Sequence, residues 1–279
     1  MQEESPAFRL IASDIDGTLA AGRGQPIPPQ TLAVLRRLIE RGWPVVLVTG
    51  LNPWSARRYV EAIGPEARAI ALNGIFLLEG ETIREGHFLD EAPVREGARL
   101  ALEAGYTPLI YGADGITRYL PGKRLAAVEQ LIAERPYQPY RAVEHFEALF
   151  AVRPTQVSVC GEEAEVAPLV PLWEEALGDR AYVIFQPGKR TWLEANHPLA
   201  RKDVALLELA ARLGVPREAI LYFGDNLNDL VLFRAIPHAV AVGNARPEVK
   251  VLAWRIAPPQ SEEGVARFLE AHLLQSSPF

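Results

Sequence analysis

The N-terminal part of the chain alternates between two patterns of apolar residues. Short uncharged apolar runs are typical of strands that are buried on both faces, and segments with apolar residues at helical spacing separate them. The runs predict strands at residues 8–13, 44–48 and 69–72, and the spacing predicts helices at residues 30–41 and 55–63. Strands and helices in this alternation predict a parallel sheet with right-handed crossovers.

The middle of the chain has a less regular pattern. Strand-like and helix-like pieces are mixed there, at residues 107–111, 125–134, 157–160, 164–177 and 181–185. The regular alternation then returns, with predicted helices and strands at residues 202–213, 219–223, 228–235, 239–242 and 262–274. The middle is therefore predicted to be an α+β unit of its own.

These patterns predict an α/β fold with a Rossmann-like, doubly wound parallel sheet and an inserted α+β domain. The predicted core is discontinuous and comprises residues 1–78 and 190–279, and the predicted insertion comprises residues 79–189. Asn73-Gly74 predicts a tight turn before a further strand at residues 75–78.

Composition excludes several classes of protein. Hydrophobic residues are 49% and charged residues 23% of the 279, which is ordinary for a globular protein and argues against disorder. Cys160 is the single cysteine, so no internal disulfide forms, as expected in a reducing cytoplasm. The acidic N-terminus and the absence of a long apolar run predict a cytoplasmic protein without a membrane partner. With a net charge of −6 and no basic stripe, nucleic acid is not an expected partner.

Four polar clusters follow predicted strands or begin predicted helices. They are Asp14/Asp16, Thr49/Gly50, Lys202, and the segment 225–229 with Asp225, Asn228 and Asp229. Because ligands bind at the carboxyl ends of the strands in open α/β sheets, clusters far apart in sequence are expected to converge there.

Each cluster alone has two interpretations. Asp14 and Asp16 suit Mg²⁺, which takes one or two carboxylates, but an Asp-Gly turn explains them too. Thr49 suits a phosphate oxygen or a helix cap, and the acidic segment 225–229 suits a metal or a helix N-terminus. Lys202 begins a helix, where the dipole disfavours a cation, so it is either functional or a solvated surface lysine.

Taken together, in the order DxDGT, TG, K and GDxxND, these residues resemble the haloacid dehalogenase superfamily of phosphohydrolases. Within that superfamily the chain is similar to the Cof-type branch, subfamily IIB, in which a large α/β cap is inserted into the core. The resemblance covers roughly residues 6–78 and 190–272. Residues 79–189 match the cap in position and size more than in sequence.

The resemblance implies a role for each motif residue. Asp14 is the expected nucleophile and becomes an aspartyl phosphate, and Asp16 is the expected general acid and base. Mg²⁺ is expected on the Asp14 carboxylate, the Asp16 backbone carbonyl and Asp225. The expected phosphate-binding groups are Thr49, the Gly50 N–H, Lys202 and Asn228. Asp229 has a supporting role and orients Lys202 or a water on the metal.

The chain departs from the family pattern at Leu51, where many relatives have an arginine after the Thr-Gly motif. Arg57 or Arg58 are candidates to replace it. Asn73-Gly74 is either near the cleft or an ordinary turn. The remaining candidates for substrate contact are each interpreted first as surface or loop residues: Arg118, Lys123, Arg124, Lys189, Arg190 and His197.

The expected function is a Mg²⁺-dependent phosphohydrolase of small phosphorylated metabolites, with sugar phosphates as the expected class. A phosphomutase with the same core is an alternative. A non-catalytic phospho-binding module is a further one, although a switch that must stay phosphorylated gains nothing from a general acid and base such as Asp16. The sequence does not indicate the oligomeric state.

Overall fold

A computed structural model describes residues 8–135 and 138–274. The chain divides into two compact units, and the boundaries between them lie between Gly86 and His87 and between Ala200 and Arg201. We call the discontinuous one the core unit and residues 87–200 the inserted unit. In the described part of the chain, no helix is long and apolar enough to cross a membrane.

The core unit is built on a sheet of eight strands among the described residues. Numbered along the whole chain, these strands are β1 Leu10–Ser13, β2 Val45–Val48, β3 Arg68–Ala71, β4 Phe76–Glu79, β5 Thr82–Glu85, β12 Ile220–Gly224, β13 His238–Ala241 and β14 Arg255–Ile256. Their order in the sheet is β14-β13-β12-β1-β2-β3-β4-β5. The helices of the unit are α1 Pro29–Glu40, α2 Pro53–Ile63, α7 Lys202–Arg212, α8 Leu230–Ala235, α9 Pro247–Lys250 and α10 Gly264–Leu269.

The centre of this sheet is parallel, as predicted. β1 pairs in parallel with β2 on one side and with β12 on the other. Every residue of β1, β2 and β12 is buried, in keeping with their uncharged apolar sequences. The predicted α/β fold class is confirmed.

The order of the strands reverses at β1, and this reversal positions the site. The chain runs from β1 outward through β2 and β3, and later returns to the opposite side of β1 at β12. The crevice at the carboxyl ends of such a pair is the place where open α/β sheets bind ligands. Asp14 follows β1, and Asp225 follows β12.

The edge of the core sheet differs from the parallel pattern. The predicted strand at residues 75–78 is present as β4, but it runs antiparallel to β3 and continues through a hairpin into β5. The hairpin belongs to the core sheet, so the first segment of the core unit ends at residue 86 and not at residue 78.

The inserted unit has its own, mostly antiparallel sheet. Its strands are β6 Leu109–Gly112, β7 Thr117–Tyr119, β8 Tyr140–Ala142, β9 Pro154–Gly161, β10 Tyr182–Gln186 and β11 Thr191–Asn196, and their order in the sheet is β10-β11-β9-β6-β7-β8. Because β11 pairs with β9 and β10, the unit extends to residue 200 instead of residue 189. Its assignment as a specificity cap stays a prediction.

The helices of the inserted unit are α3 Glu91–Glu103, α4 Ala126–Glu134, α5 Glu163–Val166 and α6 Leu169–Leu177. The single helix predicted at residues 164–177 is interrupted between α5 and α6, next to Pro168. Fully buried Trp173 lies in the hydrophobic core of the unit. Cys160 is buried as expected, and burial raises the pKa of its thiol to about 12, which makes it unreactive.

Candidate active site

The loop after β1 begins the site. The Asp14 N–H donates to the Phe223 carbonyl at 2.9 Å and so continues the ladder between β1 and β12. Gly17 then turns the chain with φ +89°, and a Cβ there would lie 2.5 Å from Asp225 Oδ2. Two independent constraints, the positive φ and the close approach of a carboxylate, therefore require glycine at residue 17.

The Mg²⁺ site expected from the sequence predicts that Gly17→Ala raises the Mg²⁺ concentration needed for half-maximal activity at least about tenfold, because the new methyl group would displace the Asp225 carboxylate. Gly42→Ala is the matched control, since Gly42 has φ +81° with nothing within 4 Å of the position that a Cβ would take. Both variants carry a backbone strain of about 1–2 kcal/mol. A metal titration that shifts equally in the two variants would contradict this assignment.

Lys202 is buried at the centre of the site, with 1% of its side chain exposed. Its Nζ donates to Asp14 Oδ1 at 2.8 Å and to Asp229 Oδ1 at 2.7 Å. Burial by itself lowers the pKa of a lysine, but the two carboxylates more than offset it, and the net pKa of Lys202 is raised. Lys202 is thus a permanently charged bridge between two carboxylates, and the alternative of a solvated surface lysine is wrong.

Asp229 is fully buried and accepts hydrogen bonds on both oxygens. Oδ1 accepts from Lys202 Nζ and from the Tyr222 hydroxyl at 2.8 Å. Oδ2 accepts from the backbone N–H groups of Asp225 and Asn226, at 3.0 and 3.1 Å. With its lone pairs occupied in this way, Asp229 is suited to hold Lys202 and the turn after β12 in place.

Asp14, Asp225 and Asp229 form a group of carboxylates, with one oxygen of each within 4.8 Å of the others. Burial raises the pKa of Asp14 well above its ordinary value; Lys202 opposes this shift, and the neighbouring carboxylates add to it. Burial, followed by the charge of Asp229, raises the pKa of Asp225 to about 7. Thr18 donates to Asp225 Oδ1 at 2.8 Å and orients it. The cluster holds more negative than positive charge, which suits a hard divalent cation.

Asp225→Asn is expected to stabilise the protein in EDTA at pH 8, by on the order of 1–3 kcal/mol after allowance for partial exposure. A carboxyl with a raised pKa holds a proton in the folded state that the unfolded chain loses near pH 4. The contribution of Asp225 to the stability of the wild type therefore falls as pH rises from about 4 to about 7, and the substitution by asparagine removes that fall.

Urea denaturation of both proteins in EDTA at pH 5 and pH 8 measures this difference. The gain of the variant is expected to be larger at pH 8 than at pH 5, and added Mg²⁺ is expected to stabilise only the wild type at pH 8. A variant that is less stable than the wild type at pH 8 would show that ionisation of Asp225 does not destabilise the folded protein.

The carboxylate of Asp16 is separate from this group of three. Its Oδ1 is buried without a hydrogen-bond partner among the described residues, and its Oδ2 lies 3.7 Å from Arg23 Nε. Burial raises the pKa of Asp16, while Arg23, Lys202 and Arg58 oppose the shift. A raised pKa and an unused oxygen are the properties of a proton donor and acceptor.

Thr49 and Gly50 follow β2, and both contact Asn73, which lies in the turn after the neighbouring strand β3. The Asn73 N–H donates to the Thr49 carbonyl at 3.0 Å, and a Cβ on Gly50 would lie 3.3 Å from Asn73 Oδ1. Asn73 Oδ1 also accepts from Asn228 Nδ2 at 3.5 Å. Asn73 is buried with φ +54°, an uncommon conformation that tertiary contacts must hold. The Asn73-Gly74 turn is thus part of the site, in agreement with the interpretation that places it near the cleft.

Two nearby arginines are the candidates to replace the arginine that is absent at residue 51. Leu51 is buried, and its N–H donates to Thr49 Oγ1 at 3.1 Å, so it serves packing. Arg57 points to the Gly80 and Glu81 carbonyls. Arg58 is near enough to Asp16 to lower its pKa, which makes Arg58 the better of the two candidates.

Several candidates of the inserted unit are engaged within that unit. Arg118 is buried and paired with Asp114 at 2.7 Å, so its interpretation as a surface residue is wrong, and Arg190 binds Glu134 at 2.8 Å. Arg124 pairs with Glu165 at 2.6 Å. His197 stacks on the His87 ring at 5.1 Å. Lys123 and Lys189 are exposed, as the surface interpretation expects.

Two residues of the site were not predicted from the sequence. Thr18, which orients Asp225, lies inside the DxDGT motif. Its position two residues after Asp16 was the feature of the sequence that could have indicated a role in the site. Tyr222 binds Asp229 but lies within a buried apolar strand, where nothing in the sequence distinguishes it from a packing residue.

Comparison with known proteins identifies the family of the chain. A model of the haloacid dehalogenase-like hydrolase family matches residues 11–269. An HMP-PP phosphatase of Escherichia fergusonii is 27% identical over 248 residues, which are 87% of this chain and 86% of that protein.

Two solved structures are similar in fold. A haloacid dehalogenase-like hydrolase from Bacteroides thetaiotaomicron has a TM-score of 0.81 at 22% identity, covering 95% of this chain and 99% of that one. A haloacid dehalogenase subclass IIB sugar phosphatase has a TM-score of 0.76 at 20% identity, covering 94% of this chain and 98% of that one. Because the family model spans nearly the whole chain and phosphatases are among the relatives that match it, the chain belongs to the haloacid dehalogenase-like hydrolases and is a phosphatase.

Proposed function

We propose that the protein is a Mg²⁺-dependent phosphatase that acts on small phosphorylated metabolites through a phosphoryl group carried on Asp14. The observation that supports this most directly is buried Lys202, bridging Asp14 and Asp229 beside further carboxylates. Such an arrangement places a nucleophilic carboxyl next to a fixed positive charge, which opposes the rise in its pKa that burial causes.

The residues present fit a magnesium ion. Asp14 and Asp225 offer carboxylate oxygens at the ends of adjacent strands, and the Asp16 backbone carbonyl is the third proposed ligand. Asp229 is excluded from the set because protein donors already occupy its oxygens. When bound, Mg²⁺ neutralises charge between the anionic nucleophile and the phosphate and polarises the phosphoryl oxygens.

Two steps follow from the positions of the carboxylates. A carboxylate oxygen of Asp14 forms a bond to phosphorus while the ester P–O bond breaks, and Asp16 gives its proton to the leaving oxygen. Asp16 then takes a proton from a water whose oxygen bonds to phosphorus. The bond to Asp14 breaks, and inorganic phosphate leaves.

Three segments of the core unit offer candidate hydrogen-bond donors to the phosphate oxygens. Thr49 and the Gly50 N–H follow β2, Lys202 begins α7, and Asn228 lies in the turn after β12. Phosphoryl transfer depends chiefly on such positioning and charge stabilisation. Asn73 positions this group, because its Oδ1 contacts Asn228 and lies against Gly50.

A panel of phosphorylated metabolites, with sugar phosphates first, tests the proposal by release of inorganic phosphate in Mg²⁺ and in EDTA. We expect release from a subset of the panel in Mg²⁺ and loss of release in EDTA. Phosphate release that persists in EDTA would contradict the metal requirement. An isomeric sugar phosphate in place of inorganic phosphate would identify a mutase.

A further inference from the structure

A tight turn after the nucleophile loop presents an arginine that the mechanism does not use. The Gln25 N–H donates to the Gly22 carbonyl at 3.0 Å, and Gly24 has φ +87°. This is the geometry of a type II turn with Arg23 at its first central position. The Tyr59 hydroxyl on α2 donates to the Gln25 carbonyl at 3.0 Å and anchors the turn to the core unit.

Arg23 points from this turn toward Asp16. Its Nε lies 3.7 Å from Asp16 Oδ2, and the two side chains are 39% and 24% exposed. Within the described residues, the Nη atoms of Arg23 take part in no hydrogen bond with the protein. With 39% of its side chain exposed, the guanidinium is accessible to a ligand beside Asp16.

Arg58 adds a second positive charge near the same carboxyl. Its Nη2 donates to the Tyr59 hydroxyl at 2.7 Å, and its guanidinium lies 4.6 Å from the centre of the Tyr59 ring. Its Nη2 lies 3.9 Å from the position that a Cβ on Gly24 would take, next to Arg23 in the turn, and its positive charge opposes the rise in the pKa of Asp16. Both arginines belong to the core unit, so this placement does not depend on the inserted unit.

The location of the two arginines determines which part of a substrate they meet. A general acid must approach the leaving oxygen to about 3 Å, so the groups around Asp16 surround the leaving group. The transferred phosphoryl group lies instead near Asp14 and Lys202. Guanidinium groups bind phosphate in a bidentate manner, which a neutral alcohol does not match.

We propose that Arg23, supported by Arg58, selects substrates whose leaving group carries a second phosphate. The proposal rests on the proposed function and refines its substrate class. The second phosphate comes either from a diphosphate ester, where it is attached at the leaving oxygen, or from a bisphosphorylated sugar, where it is attached farther along.

Two matched substrate pairs test the proposal with the full chain in Mg²⁺. Methyl diphosphate and methyl phosphate form one pair, and fructose 1,6-bisphosphate and fructose 6-phosphate form the other. For each pair we define selectivity as the ratio of kcat/KM for the doubly phosphorylated to the singly phosphorylated compound. Arg23→Gln is expected to lower this selectivity at least about tenfold in one pair, which identifies the source of the second phosphate.

Further variants separate charge from general damage. Arg23→Lys keeps the positive charge but lacks the planar guanidinium donors that bind phosphate in a bidentate manner, and it is expected to retain part of the selectivity. Arg37→Gln removes an arginine from α1 whose partner is Glu270 at 3.8 Å, and it is expected to leave the selectivity unchanged. An effect of Arg23 on Asp16 alone would change both members of a pair equally and leave the ratio intact.

The outcomes for the two proposals are distinct. A wild-type enzyme that releases phosphate from singly phosphorylated compounds, with selectivity that Arg23→Gln does not change in either pair, would overturn the role of Arg23 and leave the proposed function standing. A wild-type enzyme that hydrolyses none of these compounds or the wider metabolite panel would overturn the proposed function itself.

Discussion

Asp14→Asn is expected to lower kcat by about 10⁴-fold or more while leaving the fold intact, because an amide does not replace a carboxylate as the nucleophile. The amide oxygen still accepts a hydrogen bond from Lys202, which also keeps its contact with Asp229. The substitution also removes a carboxyl whose burial raises its pKa. We therefore expect the free energy of unfolding to stay within about 1 kcal/mol of the wild type.

Phosphate release under single-turnover and steady-state conditions, together with urea denaturation, measures both parts of this prediction. Asp203→Asn is the matched control, since Asp203 is a neighbouring buried carboxyl paired with Arg201 at 2.7 Å. It is expected to retain most of the activity. An Asp14→Asn enzyme with near-normal turnover would show that phosphoryl transfer does not pass through this carboxylate.

Lys202→Met is expected to destabilise the protein by about 3–5 kcal/mol and to abolish activity, because it leaves buried Asp14 and Asp229 without their shared cation. The measurement is urea denaturation in EDTA, with Lys189→Met as the control on an exposed lysine, where the change is expected to stay within about 0.5 kcal/mol.

The double variant Lys202→Met with Asp229→Asn tests the cause of that loss. Removal of one uncompensated buried charge is expected to restore part of the stability. If the two substitutions caused independent packing defects instead, their losses of stability would add. Restored stability without restored turnover would separate the structural role of Lys202 from its role in binding phosphate. A Lys202→Met protein as stable as the wild type would contradict the buried charge bridge.

The parallel part of the core sheet was predictable because its strands are short, uncharged and buried on both faces. β2 and β12 each lie within one residue of their predicted positions. The convergence of Asp14, Lys202 and Asp225 was also predictable, since the topology of a doubly wound sheet brings the carboxyl ends of its central strands together.

The inserted unit was less predictable because long-range pairing determines it. α3 was not predicted, since Pro93 and Gly97 weaken its helical pattern. Gly97 is there for packing, because a Cβ would lie 3.0 Å from Val157 of β9. β11 was not assigned to the insertion, since its local sequence does not indicate that it pairs with β9 and β10.

The roles within the site depended on hydrogen bonds that spacing does not reveal. Asp229 was expected to support Lys202, and its contacts with Lys202 and Tyr222 give that role a physical basis. Arg23 lies in a proline-rich and glycine-rich stretch that showed no motif. Its position beside Asp16 follows from the turn at Gly22 to Gln25.

The most direct test of the proposed mechanism is to find the residue that carries the phosphoryl group during turnover. The wild-type enzyme is mixed with an active substrate of the panel in Mg²⁺, quenched in acid within one turnover and analysed by peptide mass spectrometry. We expect a phosphoryl group on the peptide that contains Asp14, at Asp14 itself, and its absence when EDTA is present. A phosphoryl group on another residue would contradict the mechanism, as would phosphate release with no phosphorylated peptide on any rapid-quench timescale.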